Sequence, residues 1–550
     1  MTRMRRWRQP FAAIAPLFVA ALAIAGAARA SGPAPVTRGA ASSALDPATA
    51  AADRLERTAR ERFGALSAAE VKLVRSAPKR ELQWIGPSDD PDDPTNNPAN
   101  AEKWGADRTI RGTIICWLLT DREAAALVHP SGIGIAGARI VGPFDLSYQQ
   151  VRPPLTILDS AFADGIDISF AHLSSLDLGR GRVGPIAAEQ TIVAGDVLME
   201  GGDYGAANFY RARIGGNLDF SGAHLGAAAP LVAVETTIGG DALFHRGFST
   251  AGMLDFRLAS IGRSLSVHGA HFTGDAPNGL NAERATIAGA LYWVDVTHTA
   301  ATVLDLNDAH AQALWDDAAS WPAAGNLNLA GFVYSDFSGG PGDAATRLVW
   351  LRRQPRNLWA NPQPYRQLAT AMRTDGAEED AVQVEIAREN AMTKYGGLSL
   401  GPRLWREGLR ATIGYGYRPL RALWWIAGFV ATGTLLFGWG YRAGLITPTA
   451  ADAYDKFCRE GAPPPHYPPF SGFVYSLENF LPVVDLHQGA FWRPNPLHQP
   501  AATAAARAAD DPRSAIPARL LRGYLWLHIL AGWTITPLLF AGLTGLLRND

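Results

Sequence analysis

The chain predicts a mainly β fold: a right-handed β-helix solenoid with a helical N-terminal cap, a helical hairpin connector and two C-terminal transmembrane helices. Three observations carry this. A short pattern recurs from about residue 131 to 335, two amphipathic segments follow it, and two long uncharged runs lie near the C-terminus. The 550 residues, 47% hydrophobic and 18% charged, suffice for two or three domains with a proper core. A formal net charge of -1 with no dominant basic block excludes the electrostatic footprint of a nucleic-acid binder. Two cysteines, Cys116 and Cys458, exclude a disulfide framework and a cysteine-rich metal site.

In chain order, Arg3, Arg5, Arg6 and Arg8 precede the apolar run FAAIAPLFVAALAIAGA and then ARA before Ser31. This is the layout of a secretory signal peptide over 1–30, cleaved after Ala30; an uncleaved anchor shares the pattern, and both export the chain that follows. Residues 31–65, rich in Ala, Ser, Pro and Thr, read as a flexible linker. Residues 66–130 read as a helical or irregular cap, with helical spacing around Ile110 to Leu127, since an open solenoid end would expose core and strand edges. The acidic loop GPSDDPDDPTNNPAN (86–100) lacks the glycine and closing glutamate of a calcium loop, and no metal or cofactor is expected.

The repeat occupies 131–340. It reads aliphatic, variable, Gly, any, aliphatic, any, large apolar, and begins at Ile140, Val193, Ile214, Ile238, Ile261 and Ile287, with a weaker copy at Phe162. Successive starts lie 22, 31, 21, 24, 23 and 26 residues apart, a solenoid period. Apolar residues at every second position suit short strands with one face inward, and the glycines suit tight corners. The period fits leucine-rich repeats too, but their asparagine ladder is not visible.

Residues 341–415 read as a connector. PQPYRQLATAMRTDGAEEDAVQVEIAREN (362–390) gives two amphipathic helices broken at Asp375-Gly376, with Tyr365, Leu368, Ala369 and Met372 on one stripe and Ala381, Val384, Ile386 and Ala387 on the other. Residues 416–550 read as the membrane region. Uncharged runs at 422–441 and 523–547 suit the crossing of a hydrocarbon layer about 30 Å thick, with Trp424, Trp425, Trp439 and Tyr441 placed as interfacial anchors. TIGYG (412–416) has the letters of a potassium filter but precedes the first crossing and follows the charged RLWREGLRA, so Gly414 and Gly416 read as a turn from an interfacial amphipathic helix into the membrane. Between the crossings, FSGFVYSLENFLPVVDLHQ (470–488) is too short to span. It either lies on the surface, stopped by Pro482 with Glu478 and Asp485 facing water, or re-enters the membrane with these two acids as polar candidates.

WGADRTIRGTIICWLL, the IGG repeats, QPYRQLA, GYGYRPLRAL, YSLENFLPVVDLHQ and GWTITPLLFAGLTGLLR together resemble bacterial membrane proteins with pentapeptide-like repeats, from about residue 100 onward. The resemblance implies a β-helix joined to a C-terminal transmembrane hairpin, and supplies no catalytic residues.

The functional expectation is a membrane-anchored, extracytoplasmic β-helix at the bacterial inner membrane. It would act as a non-catalytic scaffold for an envelope protein or glycan and touch lipid but no nucleic acid. One alternative is an envelope polysaccharide-active enzyme. Its raw material is Asp305, Asp308 and His310, with Asp316 and Asp317, together with His245, His268 and His271, since glycosidase chemistry needs paired carboxyls in one cleft. A second alternative is an oligomeric channel or transporter, which requires 470–488 to dip between packed crossings. In the exported arrangement Cys116 and Cys458 lie on opposite sides of the membrane.

Overall fold

The computed structural model describes residues 46–226, 230–337, 339–495 and 516–546. The expected signal peptide lies outside the described residues. Part of the expected linker does not: Pro47–Phe63 is a helix, α1, that buries Ala52, Leu55 and Ala59. Those residues recur at helical spacing, so the alanine-rich composition here serves packing.

The middle of the chain is a parallel β-solenoid of about nine turns. A typical turn carries four two-residue strands, as at 172–173, 176–177, 182–183 and 186–187. Four inward columns result. On the first, Leu173, Val193, Ile214, Ile238, Ile261 and Ile287 stack in register. The second stacks Leu176, Val197, Leu218, Ala242 and Leu265. Ile140, Phe162, Val183, Tyr204, Leu225, Thr250 and Phe272 form the third, and Ile166, Ile186, Ala207, Leu231, Leu254, Leu280, Leu304 and Leu327 the fourth. Five repeat starts thus share the first face, whereas Ile140 and Phe162 lie on the third. The 31-residue step from Phe162 to Val193 marks this change of face, being about half a turn longer than its neighbours.

Glycines take corners as expected at Gly142, Gly201, Gly222 and Gly269, all at positive φ, and others have a second role. Gly215, Gly239 and Gly262 follow the first-face residue, and a Cβ on each would come within 2.2, 2.3 and 2.3 Å of a backbone carbonyl of the previous turn. Close approach of successive turns requires them. Many corners are instead made by non-glycine residues at positive φ, including Phe170, Gln190, Arg211, Glu235, Leu258, Arg284 and Asp308. Each carries a local cost of about 1 kcal/mol that the stacked turns must outweigh.

Asx side chains brace these corners. At the ends of fourth-face strands, Asp167, Asn208, Asp255, Asn281, Asp305 and Asn328 each accept a hydrogen bond from the backbone N–H two residues on. A second ladder joins turn to turn: Asp196, Asn217 and Asp241 accept from the backbone N–H of Asn217, Asp241 and Ser264 respectively.

Both solenoid ends are closed by helices. At the first, α1, α2 (Ala68–Ser76), α3 (Gly112–Thr120) and the short α4 (Arg122–Ala125) place Leu55, Leu73, Ile114, Ile115 and Leu118 against the core. The single helix expected near 110–127 is broken: Ile110 lies in a strand and Asp121 caps α4, because its carboxylate accepts from the N–H of Glu123 and Ala124. At the far end α5 (Ala344–Leu351) precedes α6 (Pro362–Thr374) and α7 (Glu378–Tyr395), the expected helical pair. Gln363 accepts from the Gly331 N–H and donates to the Phe332 carbonyl, while Gln367 donates to the Tyr334 carbonyl. These side chains satisfy the last turn's open edge.

The amphipathic α8 (Leu400–Ile413) ends in the Gly414–Gly416 turn, where Gly414, Tyr415 and Gly416 all have positive φ. TIGYG is therefore a helix stop and turn. Two helices follow that are long and apolar enough to cross a membrane, α9 (Arg421–Arg442) and α13 (Ile516–Leu543). Between them come α10 (Ala451–Glu460), α11 (Gly472–Phe480), α12 (Gln488–Phe491) and an antiparallel pair, Ile446–Pro448 with Trp492–Pro494.

Candidate functional site

The acids proposed for polysaccharide chemistry do not converge. Asp305 is a rung of the fourth-face Asx ladder. Asp308 occupies the following positive-φ corner and accepts from Asn307 Nδ2 at 3.2 Å, and His310 points outward from the first face. Asp316 is buried against Arg347, whose Nη1 and Nη2 donate to its two oxygens at 2.7 and 2.8 Å, and Trp321 Nε1 donates to the same carboxylate. Asp317 accepts from Ser320, Asp295 and Ala319; burial works against its ionisation, but these hydrogen bonds hold its pKa below the usual range. Asp305, Asp308, Asp316 and Asp317 are thus engaged in turns or packing, and His310 is exposed.

A polar stripe on the second face gathers other residues. Equivalent positions in successive turns carry Glu200, Ser221, His245 and His268, flanked by Asp177 and Asp219. Ser221 Oγ donates to the Asp219 carboxylate and lies 3.5 Å from His245 Nε2, and His268 meets Asp295 at 3.2 Å. Partial burial and the Asp219 charge raise the Glu200 pKa, burial raises Asp177, and burial lowers His245. The serine contacts the acid directly, whereas activation of a serine nucleophile requires histidine between the two. His271 stands apart, on the third face's outward column with His224. Glu200, Asp219 and Ser221 escaped the reading by sequence; aligning turns by strand register brings them together.

On the third face the segment 91–104 lies across the solenoid as a strap. Ala101 and Trp104 pack on Ala161, Arg108 stacks 3.6 Å over Trp104, and Arg182 Nη1 donates to the Ala99 carbonyl at 3.3 Å. Beside it runs a groove of about 730 Å³, with Glu102, Arg139, Arg182, Asp203 and His224 along its walls. The groove presents donors and acceptors of both signs on a rigid β surface.

In the C-terminal part α11 lies between α9 and α13. Ser476 Oγ donates to the Val430 carbonyl at 2.9 Å, His528 Nε2 lies 3.0 Å from the Ser476 carbonyl, and Tyr524 OH lies 3.3 Å from His528 Nδ1. Gly433 and Gly532 permit the close packing, since a Cβ would meet Ser476 Oγ at 2.2 Å and the Phe480 carbonyl at 1.8 Å. Against these two helices α11 buries Tyr475, Ser476 and Phe480. The helix stops at Phe480 because Leu481, preceding Pro482, is extended. Glu478 accepts from the N–H groups of Gln488 and Gly489 at 2.7 and 3.1 Å, while Asp485 is exposed and accepts from the His487 N–H. His528, fully buried at the centre of α13, was overlooked within an uncharged run; a lone ionisable residue there was the available signal.

Comparison of the chain with protein-family models, curated proteins and solved structures gives no match.

Proposed function

We propose that this protein is a membrane-anchored solenoid that presents a non-catalytic binding surface to an envelope protein or glycan, with the strap groove as the contact site. The membrane reading rests on the length and apolar character of α9 and α13 and on the exposed Trp424, Trp425, Leu435, Trp526 and Leu530 along them, which lipid would cover. Signal-led export places the solenoid on the extracytoplasmic side of a bacterial inner membrane. Right-handed winding belongs to the same reading, by the general preference of parallel crossovers, and so does kinship with pentapeptide-like repeats.

One observation carries the binding role: Arg139, Arg182 and His224 align on a rigid outward column beside the strap, whereas the candidate catalytic acids brace corners or pair within the core. The test is photocrosslinking in intact cells from a benzoylphenylalanine placed at Arg139. Discrete adducts that vanish with Arg182→Glu support the proposal. Release of reducing ends from envelope polysaccharide by the purified chain, abolished by Asp305→Asn, would replace it with the enzyme reading.

A further inference from the structure

The strap groove follows the solenoid axis. Its outward column runs Arg139, Ala161, Arg182, Asp203 and His224 in register on successive turns. Four steps of about 4.8 Å make it about 19 Å long. Two residues further along the later turns stand Ala163, Gly184, Gly205 and Gly226, so residues with little or no side chain floor the groove beside the column. The backbone here offers a ligand few donors. The N–H groups of Arg182, Asp203, Gly205 and Gly226 are bonded to the carbonyls of Ser160, Gly181, Val183 and Tyr204 on the preceding turn. Recognition therefore falls to side chains.

Those side chains carry both signs and are left open. Arg182 and Asp203 are register neighbours but form no ion pair, and Arg182 donates instead to the strap carbonyl of Ala99 at 3.3 Å. The half-buried Arg139 guanidinium and the carboxylates of Asp203 and Glu102 have no hydrogen-bonding or ion-pair partner among the described residues. Elsewhere on this solenoid opposite charges on adjacent turns do close, as Arg180 with Asp159 at 2.6 Å and Arg211 with Glu235 at 2.7 Å. A run of one charge fits the groove poorly: an acidic chain meets Asp203 and Glu102, and a basic chain meets Arg139 and Arg182. A peptide supplies both signs on neighbouring residues, and about six residues at about 3.3 Å each cover the column.

Resting on the reading of the strap groove as the contact site, we propose that its occupant is an extended peptide segment of a partner protein, of mixed charge, with carboxylates on Arg139 and Arg182 and an ammonium or guanidinium group on Asp203 and Glu102. Arg139 and Arg182 are two turns apart, about 10 Å, so the two acids of the peptide stand about three residues from each other and the base follows within one or two. The small floor residues let the peptide backbone lie close to the solenoid, and the order of charges selects the segment.

The test uses the purified full-length chain in detergent and three fluorescein-labelled peptides followed by fluorescence polarisation: mixed GEGGEKGG, acidic GEGGEEGG and basic GKGGKKGG. The mixed peptide should bind about tenfold more tightly than either of the others, the sum of a few exposed ion pairs. Arg182→Glu should weaken it about tenfold, and Asp203→Lys should turn the preference to the acidic peptide. Tightest binding of the acidic peptide by the unaltered chain, or no binding of any of the three, overturns the mixed-charge peptide. A benzoylphenylalanine at Ala163 in intact cells then separates the two readings. Discrete adducts that vanish with Arg182→Glu leave the groove as the contact site for another ligand, and their absence overturns that reading as well.

Discussion

Arg347 grips Asp316 with both terminal nitrogens, at 2.7 and 2.8 Å, and neither side chain reaches solvent. Asp316 lies on the penultimate first-sheet strand and Arg347 on α5, so the pair locks the far cap to the solenoid. Phe337 and Trp350 pack around the guanidinium at 4.9 and 5.1 Å. Removing one partner strands a buried charge. Arg347→Ala should therefore destabilise the protein by about 3–5 kcal/mol, read from denaturant unfolding in detergent. Simultaneous replacement of both residues by apolar ones should cost less than Arg347→Ala alone.

The glycine column separates close approach from backbone conformation. Gly239→Ala drives a Cβ to 2.3 Å from the Gly215 carbonyl, whereas Gly269, at φ +69, has nothing within 4 Å of its Cβ position. Thermal unfolding should show Gly239→Ala losing about 1–3 kcal/mol and Gly269→Ala only about 1 kcal/mol. Equal losses would mean that the turns can move apart to accept a side chain.

These glycines also show what was legible. The period, the inward aliphatics and the two-helix connector follow from spacing, because burial on one face imposes a periodicity that composition cannot hide. The reason for the glycines did not follow, since local sequence does not distinguish a positive φ from a neighbouring carbonyl. Residues such as Arg211 and Leu258 give no local signal of a left-handed corner; stacked turns impose it. The Asx ladder was likewise hidden, because Asp305 reads as a catalytic candidate until register aligns it with Asn281 and Asn328. In the C-terminal part, run length marked α9 and α13, but the burial of α11 depends on tertiary contacts at Gly433 and Gly532.

Asp305 offers a direct check on its structural role. Asp305→Asn should leave stability nearly unchanged, as Asn serves the same position at Asn281 and Asn328, whereas Asp305→Ala should cost about 0.5–1.5 kcal/mol in denaturant melts. A catalytic carboxylate would reverse that ranking in an activity assay, with Asn as damaging as Ala.

Glu200 predicts a pH dependence of defined sign. Its pKa is raised in the folded chain by partial burial and by Asp219, so its favourable contribution is present below the ordinary value of 4.5 and lost as pH rises through the folded value. Glu200→Gln should consequently raise the melting temperature at pH 7 and leave it unchanged at the acid end, as scanning calorimetry at several pH values would show. A drop at pH 7 would instead assign Glu200 a favourable partner.

The central claim is that α9 and α13 cross the membrane and separate the solenoid from the 446–494 segment. In a chain with Cys116 and Cys458 changed to Ser, single cysteines at the exposed Thr237 on the solenoid and Asp452 on α10 would be tested with a membrane-impermeant thiol reagent. The expected result, in cells with a permeabilised outer membrane, is labelling at Thr237→Cys with the inner membrane intact and at Asp452→Cys only after inner-membrane lysis. Labelling of both positions from the same side would contradict the crossing.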